Sequence, residues 1–126
     1  MGGEFRFVFY PSDYERSVEF YRDELGLRVT GGWDRAPGDR GALLEAAGGI
    51  VELLEGPGAD DAPHEAGPPR GAWIAIEVDD VARAFEQLRA RRIRIAEELH
   101  DKPWGHRSFA VRDPDGLLVV LFQITG

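Results

Sequence analysis

The side chains equipped for chemistry in this chain are few. It has three tryptophans (Trp33, Trp73, Trp104), three histidines (His64, His100, His106), three serines (Ser12, Ser17, Ser108) and no cysteine. Without cysteine there is no disulfide scaffold, no thiolate metal site and no thiol nucleophile. Ser12 reads as a helix cap and Ser17 as a residue inside that helix. Neither a G-x-S-x-G elbow nor a phosphate-cradling G-x-x-x-x-G-K-[ST] loop is present. No catalytic residue is assigned. The histidines read as partly exposed residues in or near loops: His64 in a Pro/Gly stretch, His100 near a strand end, His106 after Trp104-Gly105. The tryptophans are different, because an indole offers a large rigid face for stacking at little entropic cost.

The composition narrows the partner. Fifteen basic residues stand against 23 acidic ones in 126, a formal charge of −8. Phosphate binding needs a basic surface, so nucleic acid and anionic membranes are disfavoured. A negative field instead raises the local concentration of cations, which suits a small cationic or neutral ligand. An apolar fraction of 43% supports a real core, and the length fits one domain or two small halves. The N-terminus lacks the basic and apolar regions of a secretory signal, and no apolar run approaches the ~20 residues of a membrane span. The expected compartment is the cytoplasm.

The elements that must position these residues follow from periodicity. Residues 5–10 alternate, with Phe5, Phe7 and Phe9 on one face and Arg6, Val8 and Tyr10 on the other. Ser12 to Glu15 matches a capping box with Ser12 as N-cap. Tyr14, Val18, Tyr21 and Leu25 follow at helical spacing, and Gly26 ends the helix. Residues 27–33, 41–47 and 50–55 read as strands, the last two joined by a turn at Gly48-Gly49. Residues 56–70 are a Pro/Gly/acidic break, either a linker or a mobile flap. The order then starts again. Residues 72–78 form a strand with Ile74, Ile76 and Val78 on one face and Trp73, Ala75 and Glu77 on the other. Asp79 or Asp80 caps a helix carrying Val81, Phe85 and Leu88. Residues 94–98, 106–112 and 117–124 are strands, the last pair turning at Asp113-Pro114-Asp115-Gly116.

The chain is therefore βαβββ twice: repeat one over 4–55, a flexible connection over 56–70 and repeat two over 71–126. An offset of 67 residues lays Asp13 on Asp80, Arg6 on Trp73, Val18 on Phe85, Tyr21 on Leu88 and Gly49 on Gly116.

With Ser17-Val18-Glu19-Phe20-Tyr21-Arg22-Asp23-Glu24-Leu25-Gly26-Leu27, Val78-Asp79-Asp80-Val81, Pro103-Trp104-Gly105-His106-Arg107 and Asp113-Pro114-Asp115-Gly116, this arrangement resembles the vicinal oxygen chelate superfamily. That superfamily includes glyoxalase I, extradiol dioxygenases, fosfomycin-resistance enzymes and bleomycin-resistance proteins. The resemblance covers essentially the whole chain and implies an α+β fold. In it, two βαβββ repeats form a curled, eight-stranded mixed-sheet cup, with two helices packed outside and a dimeric assembly. It also implies metal ligands on the first and last strands of each repeat. Those positions hold Arg6 and Trp73, which carry donors only, and Val119 or Val120, which are apolar. Only Glu52 has a ligand's chemistry, and one carboxylate does not make a site that normally needs about three protein ligands. No metal and no cofactor is expected.

What remains is a cup lined by aromatic and polar groups. Arg6, Tyr10, Trp33, Glu52, Trp73, Trp104 and His106 are the candidate ligand-binding residues. Arg6 and Glu52 read either as a charge pair replacing the ion or, if Glu52 sits on an edge, as separate solvent-facing groups. The closest type within the superfamily is the metal-free bleomycin-resistance-like protein. The expectation is a homodimer that sequesters an aromatic antibiotic in clefts at the dimer interface. The alternatives are a metal-dependent glyoxalase, lyase or dioxygenase, and a metal-free enzyme acting on an aromatic metabolite.

Overall fold

A computed structural model describes residues 3–56 and 67–126 of the chain. Contacts divide the protein into two compact units, Met1–Arg70 and Gly71–Gly126. Each is an α+β unit, and among the described residues they hold two α-helices and eight strands in two four-stranded mixed sheets. Among the described residues no helix is long and apolar enough to cross a membrane.

In the first unit, β1 (Arg6–Phe9) leads to α1 (Tyr14–Glu19), then β2 (Arg28–Ala36), β3 (Asp39–Ala46) and β4 (Gly49–Leu54). The strand order is β1-β4-β3-β2, with β1 parallel to β4 and the rest antiparallel. Phe9, Leu44, Val51 and Leu53 are buried on the helix side of the sheet. The expected three-phenylalanine stripe is shorter than predicted. Phe5 precedes β1 and is 73% exposed, while its carbonyl oxygen accepts a hydrogen bond from the Ile50 amide at 2.8 Å.

The cap of α1 is Asp13, not Ser12. Asp13 is extended, and its carboxylate accepts from the Arg16 amide at 3.1 Å while its carbonyl takes the first helical bond from Ser17. A carboxylate also favours the positive end of the helix dipole. After α1 the chain widens into a π-helical turn over Phe20–Glu24, where the Leu25 amide donates to the Phe20 carbonyl at 2.7 Å. The wider turn brings Phe20 and Tyr21 inward together, ring centroids 5.0 Å apart. The buried stripe is thus Ser17, Phe20 and Tyr21 rather than Tyr14, Val18, Tyr21 and Leu25. Gly26, at φ 85°, takes the left-handed conformation that closes the helix. The β3–β4 turn also differs from the sequence reading. Ala46 pairs with Gly49, so the turn residues are Ala47 and Gly48, and Ala47 carries the positive φ of 51°. Gly49 is drawn into β4, where the Phe5 carbonyl would lie 3.3 Å from any Cβ.

The second unit repeats the plan: β5 (Trp73–Glu77), α2 (Val81–Ala90), β6 (Ile95–Lys102), β7 (His106–Arg112) and β8 (Leu118–Ile124), in the order β5-β8-β7-β6. Asp80 caps α2 through the Arg83 amide at 3.1 Å, the counterpart of Asp13 and Arg16. Val81, Phe85 and Leu88 face the sheet as their spacing predicts. The Asp113 carboxylate accepts from the amides of Asp115 and Leu117, both at 2.9 Å, which locks the β7–β8 turn.

The offset of 67 holds through the first strands, the helices and the third strands, then slips by one. Phe7 pairs with Val51, and its counterpart Ile74 pairs with Val119, 68 residues further on. Glu52 therefore corresponds to Val120, not Val119, and Gly49 does not correspond to Gly116. The predicted flexibility of 56–70 falls mostly on residues 57–66, which lie outside the described residues.

Candidate functional site

Alternation along the strands sends one set of side chains to the helix and the other to the opposite face. In the first unit that opposite face carries Arg6 and Val8, then Ile50, Glu52 and Leu54, then Leu43, and at the far side Trp33. Arg6 Nη1 donates to Glu52 Oε1 at 3.0 Å, and the Glu52 side chain is only 14% exposed. Arg6 also pairs with Glu4. The Glu52 and Glu4 hydrogen bonds push the guanidinium pKa up from an already high value, so Arg6 is a fixed cation. The charge pair expected as one of two readings is formed, and Glu52 does not stand alone on an edge.

Trp33 lies on bare backbone. A Cβ at Gly41 would sit 2.2 Å from the indole, so only glycine allows this approach. The Arg35 guanidinium stacks over the same indole, 5.4 Å from its centroid. Trp33, Tyr10, Arg35, Leu54 and Glu55 line a pocket of about 350 Å³ at the end of the β2–β3 hairpin. Two predicted residues, Tyr10 and Trp33, are thus brought together there. The Arg40 guanidinium holds one wall, donating to both oxygens of Glu55 at 3.0 and 2.6 Å and meeting Glu15 at 3.0 Å. Arg40 in turn holds the Glu55 carboxyl below its ordinary pKa.

In the second unit the face away from α2 carries a second aromatic group. His106 stacks on Phe122, centroids 4.7 Å apart with an 11° tilt, and Trp104 meets His106 edge-on at 6.4 Å. Lys102 Nζ lies 5.7 Å from the Trp104 centroid and pairs with Glu97 at 2.6 Å. Trp104 is 64% exposed, so most of its ring is available to a ligand. Trp73 is equally exposed, at 64%, and stands apart at the Leu118 end of β8. It does not fill a core. His100 Nδ1 is 2.8 Å from the Glu98 carbonyl oxygen, and His64 lies outside the described residues.

Phe122, Lys102, Arg35 and the Arg40–Glu55 pair are not legible as site residues in the sequence. Phe122 shows only as one apolar residue in an alternating strand. Its stack with His106 depends on the register, in which Ser108 faces Phe122 and His106 faces Ile124.

A family model for the Glyoxalase/Bleomycin resistance protein/Dioxygenase superfamily matches residues 5–121. The chain belongs to this superfamily. Among curated proteins, YraH of Bacillus subtilis (strain 168) is 28% identical over 120 residues, 90% of this chain and 91% of YraH. Among solved structures, TioX from Micromonospora sp. ML1 is 28% identical with a TM-score of 0.80, covering 98% of this chain and 99% of TioX. TnmS3 of Streptomyces sp. CB03234, named an antibiotic binding protein, shares the fold at 22% identity and a TM-score of 0.73, covering 99% and 98%.

The glyoxalase-type metal does not fit the residues at the corresponding positions here. Arg6 is committed to Glu52, and Trp73 offers one indole N–H. Val120, the counterpart of Glu52, has no donor atom. Among the described residues no three or more His, Asp or Glu side chains gather where they could hold an ion.

Proposed function

We propose that this chain is a metal-independent, cytoplasmic binding protein that sequesters an aromatic antibiotic, working as a homodimer with ligand clefts at the dimer interface. The observation that carries the reading is the Arg6–Glu52 pair. A salt bridge stands where the superfamily's enzymes need an electrophilic ion, and a paired guanidinium neither binds a metal nor acts as an acid. Exposed Trp73, Trp104 and the His106–Phe122 stack supply the flat apolar faces that planar ligands need. A stack is worth roughly 0.5–1.5 kcal/mol beyond area burial, and a cation over an indole adds about as much. The net charge of −8 favours a ligand carrying positive charge. TnmS3 provides a precedent for antibiotic binding on this fold.

The test is tryptophan fluorescence titrated with bleomycin-, mitomycin- and enediyne-type antibiotics. Saturable quenching is expected, weakened about tenfold or more by Trp104→Ala. The ligand should be recovered chemically unchanged, as read by mass spectrometry. A transformed ligand makes the protein an enzyme and removes the sequestration reading. Absence of binding across the panel removes the antibiotic assignment.

A further inference from the structure

The two units share strand order, helix caps and the pairing of their first, third and fourth strands, so each serves as an internal control for the other. They differ in how the helix meets the sheet. In the second unit Phe85 of α2 and Phe109 of β7 meet edge-on, centroids 5.1 Å apart, and both are buried. Phe85 corresponds to Val18. Phe109 faces Leu121 across the ladder as Ala42 faces Leu53, so Phe109 corresponds to Ala42. The first unit therefore lacks both rings. Its aromatic mass lies elsewhere, since the π-helical turn commits Phe20 and Tyr21 to the core beside Phe9. Where α2 packs on β6, β7 and β8, α1 packs on β4. Opposite Ala42 in β2 stands Gly32, which adds no side chain.

The result is a groove of about 630 Å³ between α1 and the β2–β3 hairpin, which shares Trp33 and Arg40 with the pocket of Tyr10 and Arg35. Its apolar surface comes from Val18, Val29 and Ala42, and Tyr14 and Trp33 stand at its walls. Four charged residues also line it, and their charges cancel. Glu15 is held by Arg40, Glu19 faces Arg16 at 3.5 Å, Arg22 is paired with Asp23, and Arg40 is taken by Glu55 and Glu15. The groove thus offers apolar floor and ring edges but no unpaired charge to attract an ion.

We propose that this groove is a second binding site, taking an uncharged diaryl ligand whose two aryl groups, turned edge to face, occupy the space that Phe85 and Phe109 fill in the other unit. Burial of aromatic surface against Val18, Val29 and Ala42 drives binding. A charged substituent would have to compete with the Arg40–Glu15 and Arg22–Asp23 pairs and loses part of its hydration.

The experiment uses the intact protein and two fluorescent probes with one ring system: uncharged N-phenyl-1-naphthylamine, and 8-anilinonaphthalene-1-sulfonate, which adds a sulfonate. The uncharged probe is expected to bind with a blue-shifted emission, and the sulfonate about tenfold more weakly or worse. The double variant Val18→Phe/Ala42→Phe installs the pair that the second unit already tolerates. It should remove this site while near-ultraviolet circular dichroism stays native. Ala42→Leu, a smaller filling, should weaken the uncharged probe severalfold and guards against misfolding of the double variant. Trp104→Ala should leave the site intact. The proposal is overturned if the uncharged probe does not bind, if filling Val18 and Ala42 leaves its affinity within about twofold, if Ala42→Leu has no effect, if the sulfonate binds as tightly, or if Trp104→Ala abolishes the signal.

Discussion

Arg40 shows how one side chain can organise a site through its ion pairs. It sits on β3, its planar fork grips Glu55 at the end of β4, and its remaining edge reaches Glu15 on α1. The guanidinium also stacks 4.9 Å from the Tyr14 ring, whose hydroxyl pKa is raised chiefly by burial. This geometry has a pH signature. Glu55 titrates below its ordinary value of 4.5 in the folded protein, mainly because Arg40 donates to it. The unfolded chain therefore binds a proton more readily than the folded one. The stabilisation is fully present above the ordinary carboxylate value and is lost as pH falls through the lower, folded value. Asp23, held by Arg22, works in the same direction. Chemical denaturation of the wild type and of Glu55→Gln at about pH 6 and about pH 3 checks this. The wild type should lose more stability between the two pH values than the variant does. Equal losses would mean the ion pair is not maintained in solution.

At the level of elements, much was legible in the sequence and the misses have physical causes. The strands and both helices were readable because alternation and 3.6-residue periodicity are written in side-chain type. The Asp113-Pro114-Asp115-Gly116 turn was readable because a carboxylate, a proline and a glycine stand where the turn needs them. The cap was displaced by one residue because Ser12 and Asp13 both have capping chemistry, and only the backbone decides between them. The π-helical turn left no mark: Phe20 and Tyr21 are adjacent apolar residues, which a regular helix would send to different directions. Nor could periodicity tell whether Val119 or Val120 matches Glu52, since that rests on a one-residue slip between the repeats. Helix α1 also carries a test of its own packing. Ser17 is fully buried, and its hydroxyl finds no hydrogen-bond partner among the described residues. The corresponding position in α2 is Ala84. A buried unmatched hydroxyl costs about 1–3 kcal/mol, and alanine is the better helix former by a few tenths. Ser17→Ala should therefore stabilise the protein by about 1 kcal/mol and raise the melting temperature by about 4 °C. A melting temperature below that of the wild type would show that the hydroxyl is bonded in solution.

At the scale of the whole molecule, the exposed apolar side chains bear on assembly. Phe5, Val8, Val29, Trp73, Trp104 and Ile124 all stay exposed in the single chain. In the second sheet the two faces of β8 differ sharply: Val119 and Leu121 are buried, whereas Leu118, Val120 and Phe122 remain partly open. A strand apolar on both faces is ordinarily covered on both. Isolated apolar residues on a surface need no explanation, but two tryptophans at 64% exposure beside half-open valine, leucine and phenylalanine make a costly surface to leave in water. A second copy would cover such a surface while leaving room between protomers for a planar ligand. Its interface would rest on this apolar strip, with Glu77, Glu97, Lys102 and Arg112 sharing the face. Light scattering at micromolar concentration should therefore give twice the 14.0 kDa of one chain. The dimer should persist in high salt, since burial of apolar area does not weaken as ions are added. Trp73→Glu should shift it toward monomer by placing a charge on the apolar face. A wild-type mass of one chain under these conditions would remove the dimer, and with it the interface location of the antibiotic cleft.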